Sequence, residues 1–178
     1  WGLNVNDWLL ETERLRLQPV TVDDADLMLA IWNDPAFIRN VADRGIRTEA
    51  QARAAIEDGA QKLFADFGHG PCSMTLKSNG ERIGICGLFH RDNIDAPDIG
   101  FSVLPDYRGK GYAGEAAIEV VRYARDVLGI PAITAIVSPA NAASIGLIEK
   151  LGLTFERMIT MPGDDESISL YSAELNQG

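Results

Sequence analysis

Between Arg108 and Gly114 the chain places three glycines, Gly109, Gly111 and Gly114, beside two cations, Arg108 and Lys110, where a strand-like run gives way to a helix. The preceding segment, Ile99-Gly100-Phe101-Ser102-Val103, is apolar, and helical spacing begins at Ala113. Glycines let a ligand come close to the main chain. The first N–H groups of a helix have no intrahelical acceptor, and the helix dipole favours an anion there. A phosphate-bearing ligand on the amides of Arg108 through Gly114, including Tyr112 and Ala113, is the chemistry this spacing suits. The plain alternative is a tight strand-to-helix turn. One strand further on, Asn141-Ala142-Ala143-Ser144 opens a second helix. Asn141 is a strong N-cap, worth about 1 kcal/mol over Ala, and Ser144 lies one turn inside it. Asp98 heads the strand before the glycine loop. A carboxylate there either takes a proton from a substrate or is a sheet-end acid facing solvent. The loop lacks Gly-x-x-x-x-Gly-Lys-Ser/Thr, and no dinucleotide fingerprint follows an N-terminal strand, which argues against a nucleotide-dependent enzyme.

These residues need a scaffold, and its elements read in order. Leu15-Arg16-Leu17-Gln18 alternates like a short strand, and Pro19 makes it an edge or terminal one. Thr21 starts a capping-box-like signal for a helix from Ala25 to Trp32, and Thr48 starts another running to about Phe64. Asp34 to Arg47 reads as a loop with room for a short helical turn. Cys72–Lys77 and Arg82–Phe89 pair across Ser78-Asn79-Gly80, a strong hairpin signal. After the strand Asp98–Leu104, Ala113, Ala116, Ala117, Val120, Val121, Ala124 and Leu128 repeat at helical spacing, and Gly129 and Pro131 end the run. Strand Ile133–Val137, helix Ala142–Leu151 and strands Thr154–Met161 and Glu166–Ser172 complete an α+β unit with a mixed, mostly antiparallel sheet flanked by helices.

The chain has 178 residues, 46% hydrophobic and 24% charged, as expected of one globular domain with a full core. Residues 13–173 read as that domain, with residues 1–12 an N-terminal extension that opens on Trp1 and 174–178 a short tail. No apolar run approaches the ~20 residues of a membrane span, and residues 1–10 lack a secretory n-region. The net charge is −10, from 26 acidic and 16 basic residues, the opposite of a nucleic-acid binder. That acidity suits a cationic, amine-bearing substrate, although solubility explains it equally well. Cys72 and Cys86 have no metal-ligand spacing and read as buried fillers, which fits a reducing cytoplasm.

The ordered set of motifs resembles a known family. Arg108-Gly109-Lys110-Gly111-Tyr112-Ala113 matches the Arg/Gln-x-x-Gly-x-Gly/Ala signature of the GCN5-related N-acetyltransferases (GNAT). Gly-Lys-Gly-Tyr-Ala, the later Asn-x-x-Ser and Glu149-Lys150-Leu151-Gly152 look like the branch of ribosomal-protein N-terminal acetyltransferases. The opening Glu13-Arg14-Leu15-Arg16-Leu17-Gln18-Pro19 and Ile83-Gly84-Ile85-Cys86-Gly87-Leu88 also match that branch, so the resemblance spans roughly residues 13 to 173.

The resemblance implies the GNAT fold, with acetyl-CoA in a cleft between splayed parallel strands, here Asp98–Leu104 and Ile133–Val137. The pyrophosphate would rest on the amides of Arg108 through Gly114. The pantetheine arm would pair with backbone near Phe101 and Val103 and touch Asn141. Relatives often place a tyrosine further along the second helix to protonate the departing thiolate. Ile148 stands there in this chain, and the branch it resembles uses a serine at the position of Ser144. Where relatives carry a glutamate this chain has the shorter Asp98, which would reach the incoming ammonium through water; Asp164 or Asp165 is a lesser alternative. A backbone N–H of the Asp98–Leu104 strand would stabilise charge developing on the attacked carbonyl oxygen. Glu115 complements the helix dipole. His69 and His90 match no family position, and His69 reads as a loop residue. Trp32, Phe37 and Phe64 read as core or cleft walls, with the Asp34–Arg47 loop bordering the acceptor. The expected activity is acetyl transfer from acetyl-CoA to a primary amine, either a protein N-terminus or a small molecule. The alternative is a regulatory module that binds acyl-CoA with little chemistry. Dimers are common in the family, and no stretch of this sequence marks an interface.

Overall fold

The computed structural model describes residues 10–176, whose strands form a single sheet. It begins with β1 (Leu10–Glu11) and β2 (Leu15–Pro19); Leu15 and Leu17 are buried while Arg16 and Gln18 are exposed, the period-two pattern of a half-covered strand. Thr21 then forms a reciprocal cap. Its Oγ1 accepts from the Asp23 N–H, and Asp24 Oδ2 accepts from the Thr21 N–H at 3.0 Å. Helix α1 (Ala25–Trp32) follows, then α2 (Pro35–Asn40), with Asp34 as N-cap and Pro35 in its first turn. Helix α3 (Glu49–Ile56) is capped by Thr48 and Gln51. The single helix expected from Thr48 to about Phe64 is broken by a π turn over Glu57–Gln61 before α4 (Lys62–Phe67). Gly59 sits in that turn, where a residue with little helix preference accommodates the wider loop most readily.

Strands β3 (Pro71–Leu76) and β4 (Arg82–Arg91) form the expected hairpin, with Gly80 at φ 75°. Strand β5 (Ile94–Val103) begins ahead of Asp98 and pairs back along β4 through a turn at Asp92-Asn93. The remaining order is α5 (Tyr112–Asp126), β6 (Ala132–Val137), α6 (Ala142–Lys150), β7 (Thr154–Thr160) and β8 (Ser167–Glu174). The sheet runs β1-β2-β3-β4-β5-β6-β8-β7, antiparallel except between β5 and β6. The inner ends of the expected extension and tail join this sheet, as β1 and the last residue of β8; residues 1–9 and 177–178 lie outside the described residues.

Helix α5 buries Ala116, Ala117, Val120 and Ala124 against β1, β2, β4 and β5. The other face is covered by α1 and α3, where Met28, Ile31, Trp32, Ala52 and Ile56 pack with Val20 and Ile85. Cys72 and Cys86 face each other across β3 and β4, both fully buried, and burial pushes the Cys86 thiol up to about 12. They are packing residues. Gly84 and Gly87 are required by close approach: an added Cβ would lie 2.2 Å from Ser102 O and 2.3 Å from Gly70 O, respectively. A side chain at Gly84 would therefore pry β4 from β5. β5 and β6 meet at a single point, Asp98 opposite Thr134, and then part. Thr134 Oγ1 donates there to Ala96 O or Pro97 O, at 3.3 and 3.2 Å, which fixes the apex of the split.

Candidate active site

The split leaves one edge of β5 unpaired. The Leu104 N–H bonds Ile83 O on β4, so the two-residue period turns the backbone groups of Ser102 and Gly100 toward β4. Those of Ile99, Phe101 and Val103 turn toward the gap. Side chains alternate as well: Ile85 belongs to the cluster under α1 and α3, so its partner Ser102, with Gly100 and Asp98, projects to that side. Phe101 and Val103 pack toward the α5 side. A cleft of about 1770 Å³ runs through the gap. Eleven of the twelve expected site residues line it: Asp98, Phe101, Val103, Arg108, Gly109, Gly111, Tyr112, Ala113, Gly114, Asn141 and Ser144. The twelfth, Lys110, stands outside it, with its ammonium 5.9 Å from the Tyr107 ring centroid.

At the loop, Gly109 and Gly111 adopt φ of 76° and 81°, the left-handed region that favours glycine, and Gly111 is the N-cap of α5. Gly114 serves packing as well as approach, since a Cβ on it would lie 3.3 Å from Leu147 Cδ1 of α6. Arg108 does not offer a free charge to the loop. Its Nε donates to Val103 O at 3.0 Å, and its guanidinium pairs with the buried Asp34 carboxylate, which also caps α2 through the Phe37 N–H. The cation near the start of α5 is instead Arg14, which the motif reading did not single out. Its guanidinium carbon lies 4.3 Å from the Tyr112 ring centroid, and Nη2 is 3.5 Å from where a Gly111 Cβ would be.

Glu115 does more than complement the dipole. It accepts from Thr12 Oγ1, from the Arg14 N–H at 3.0 Å and from Arg14 Nε at 2.7 Å, tying the β1–β2 link to the first turn of α5. Burial works to raise its pKa, and the hydrogen bonds from Thr12 and Arg14 outweigh it, so the carboxyl is held below its ordinary value. Such a group stabilises the fold above its unfolded pKa, and the contribution is lost as pH falls through the lower folded value. Glu115→Gln is therefore expected to cost about 1.5–3 kcal/mol in urea unfolding at pH 7. The gap to wild type should close on acidification; equal stability at pH 7 would show that the tie is not formed.

Across the gap, Asn141 Oδ1 accepts from the Ser144 N–H at 3.3 Å, as an N-cap should. The Ser144 hydroxyl has no protein partner among the described residues, and it lines the cleft. Ile148 is buried one turn on. Asp98 is 2% exposed, and both its oxygens lie 3.2 Å from Arg91 Nε. Burial raises the Asp98 pKa while the Arg91 charge pulls it down, and the net direction is upward. The sequence does not mark Arg91, because its place beside Asp98 depends on the tight turn at Asp92-Asn93 and not on any motif. His69 lies in a loop yet is buried, with Nδ1 unpartnered, and burial lowers its pKa. Phe67 stacks on His90 with ring centroids 4.1 Å apart. Phe64 belongs to the core, Trp32 is buried at the end of α1, and Phe37 packs against the cluster that holds Trp32. Asp164 lines the cleft from the turn before β8; Asp165 does not.

An unpaired strand edge suits a ligand arm built of amides, and the helix start with two left-handed glycines suits its phosphates. Comparison with known proteins identifies the family. The family model described as "Acetyltransferase (GNAT) domain" matches residues 14–154. The N-acetyltransferase p20 of Bacillus licheniformis is 30% identical over 152 residues, covering 84% of each chain. The FsC-acetyl coenzyme A-N(2)-transacetylase of Aspergillus fumigatus is 40% identical over 185 residues, covering 92% of this chain and 74% of that one. Among solved structures, the ribosomal L7/L12 alpha-N-protein acetyltransferase RimL in complex with coenzyme A shares the fold, with a TM-score of 0.79 at 13% identity over 96% of this chain and 100% of that one. This chain belongs to the GNAT acetyltransferase family and is an acetyltransferase that uses acetyl-CoA.

Proposed function

We propose that the protein moves the acetyl group directly to a primary amine bound on the α1–α3 side of β5. The observation that carries this reading is the parting of β5 from β6 at Asp98, which places a buried carboxylate at the apex of the donor cleft. Acetyl-CoA supplies the acetyl group as a thioester: the amine nitrogen bonds to the acetyl carbon, the carbon–sulfur bond breaks, and the proton balance leaves a neutral amide and the free thiol of CoA. The amides that open α5, with Gly109, Gly111 and Gly114, hold the donor's phosphates, and Phe101, Val103 and Asn141 hold its arm. Asp98, its pKa raised by burial, accepts the proton that the ammonium must lose before it can attack, directly or through water. An N–H on the open edge of β5 stabilises the charge that gathers on the acetyl oxygen. The unpartnered Ser144 hydroxyl passes a proton to the leaving sulfur and regains one as the attacking nitrogen gives up its second proton to become the amide.

The names of two relatives support both acceptor classes, an N(2) nitrogen in one and a protein α-amine in the other. A second reading, an acyl-CoA-binding module without efficient chemistry, draws on Ile148 in place of a proton donor and on the Arg91 clamp over Asp98. Titration calorimetry with acetyl-CoA, CoA and ATP, followed by CoA release across a panel of primary amines, separates the readings. Binding of both thiol cofactors but not ATP, with amine-dependent CoA release, is the expected result. Binding without release for any amine would favour the module.

A further inference from the structure

Among the described residues, Arg39 and Arg44 are the arginines with no carboxylate within ion-pair distance. Arg39 lies in the last turn of α2, where a cation complements the helix dipole. Arg44 has no such reason. It lines the cleft together with Arg91 and Asp98, and its guanidinium carbon stands 4.7 Å from the centroid of the buried Trp32 ring.

The loop that carries Arg44 is fastened on both sides. Asn33 Nδ2 bridges Leu29 O and Ile46 O at 2.9 Å each, tying the loop to α1. The adjacent acid, Asp43, is already committed: it accepts from Arg47 Nη2 at 2.8 Å on each oxygen and from the Gly45 N–H at 2.9 Å. The neighbouring carboxylate thus neutralises Arg47 and leaves Arg44 presented to the cleft. Partial burial and the charge of Arg91 both lower the pKa of Arg44, so the two guanidiniums feel each other. Arg91 is paired with Asp98, and Arg44 has no paired carboxylate among the described residues. Two like charges thus line one cleft with a single paired carboxylate, an arrangement that an added anion relieves. Asp92 and Asp164 also line the cleft, on turns that meet where Asn93 Nδ2 lies 3.5 Å from Met161 Sδ. The acceptor end therefore offers acids from those turns and a guanidinium from the α2–α3 loop, a pattern suited to a zwitterion.

We propose that the acceptor amine belongs to a molecule that also carries a carboxylate, and that Arg44 is the residue that recognises that carboxylate. This rests on the amine-acetyltransferase reading above and narrows its substrate class. It narrows the cationic, amine-bearing substrate that the net charge of −10 suits to one that also carries a carboxylate. A planar guanidinium backed by an aromatic ring is preorganised for bidentate binding of a carboxylate.

The test uses matched probes, L-leucine against L-leucinamide and L-phenylalanine against L-phenylalaninamide, with the CoA-loaded protein for binding and acetyl-CoA for turnover. The amide's ammonium loses its proton more readily than that of the parent acid, so intrinsic reactivity favours the amide, and a preference for the acid must come from the site. The acids should bind at least about tenfold more tightly than their amides. That ratio should fall to about one in Arg44→Gln, with CoA affinity unchanged as the control for folding. Equal or tighter binding of the amides, no binding of either member of each pair, or a ratio that survives Arg44→Gln would overturn the proposal. Acetylation of acids and amides alike would leave the acetyltransferase reading standing without this one. Selective binding of the acids without acetyl transfer would keep Arg44 as a carboxylate site and overturn the assignment of its ligand as the acceptor.

Discussion

Gly111→Val is expected to weaken acetyl-CoA binding at least about tenfold, or about 1.4 kcal/mol. Gly111 is the N-cap of α5 at φ 81°, a conformation in which a β-branched residue is a true outlier. Left-handed backbone costs an ordinary residue about 1–2 kcal/mol, and the loop relieves that cost by rotating the peptide planes around it. Those planes carry the amides that open α5, so relief of strain spoils the anion site. The valine methyl groups also crowd Arg14, whose Nη2 already lies 3.5 Å from the Cβ position and whose Nε is held by Glu115. Gly129→Val is the control. It imposes the same kind of strain, at φ 65°, just past the far end of α5, with no atom within 4 Å of its Cβ. It should lose stability while keeping its affinity by calorimetry. Unchanged affinity in Gly111→Val with circular dichroism intact would place the phosphates elsewhere.

The contrast between Gly111 and Arg14 shows what the sequence exposes. A left-handed glycine at a strand-to-helix junction is a local requirement, readable from residue type and position alone, and so are the Asn141 cap and the Gly80 turn. The alternation at Phe101 and Val103 follows from the strand period once β5 is recognised. The pairs that complete the site are of another kind. Arg14 meets Glu115, and Asp34 meets Arg108, across 101 and 74 positions of sequence, and each acid has several arginines of equal chemical merit to choose from. Periodicity gives the buried face of an element but not the partner of a charge. The true start of β5 was hidden for a related reason. Its first residues, Ile94-Asp95-Ala96-Pro97, are broken by an acid and a proline, and of them Ile94 pairs with Arg91 beyond a register shift that follows Phe89. That irregularity returns Arg91 to Asp98, so the least strand-like segment sets the environment of the candidate base.

Asp98→Asn is expected to lower kcat by about 10²–10⁴-fold with acetyl-CoA affinity unchanged. The substitution keeps the shape of a side chain that is 2% exposed and removes only its capacity to hold a negative charge and take a proton. The pH dependence separates this from a structural role. Asp98 acts as a base only when ionised, and burial raises its pKa, so wild-type kcat/KM should fall as pH drops through a value above the ordinary aspartate range. Asp98→Asn should flatten that limb while leaving the ionisation of the amine itself at higher pH. Arg91→Gln bears on the same carboxylate from the other side. Arg91 is the charge that pulls the Asp98 pKa down, so its removal leaves burial opposed by less and should move the limb to higher pH without abolishing it. A pair that served only to hold the β4–β5 hairpin together would change stability in both variants and leave the position of the limb where it was. If neither variant moves the limb, the proton is taken elsewhere, and the buried Asp98–Arg91 pair is part of the scaffold.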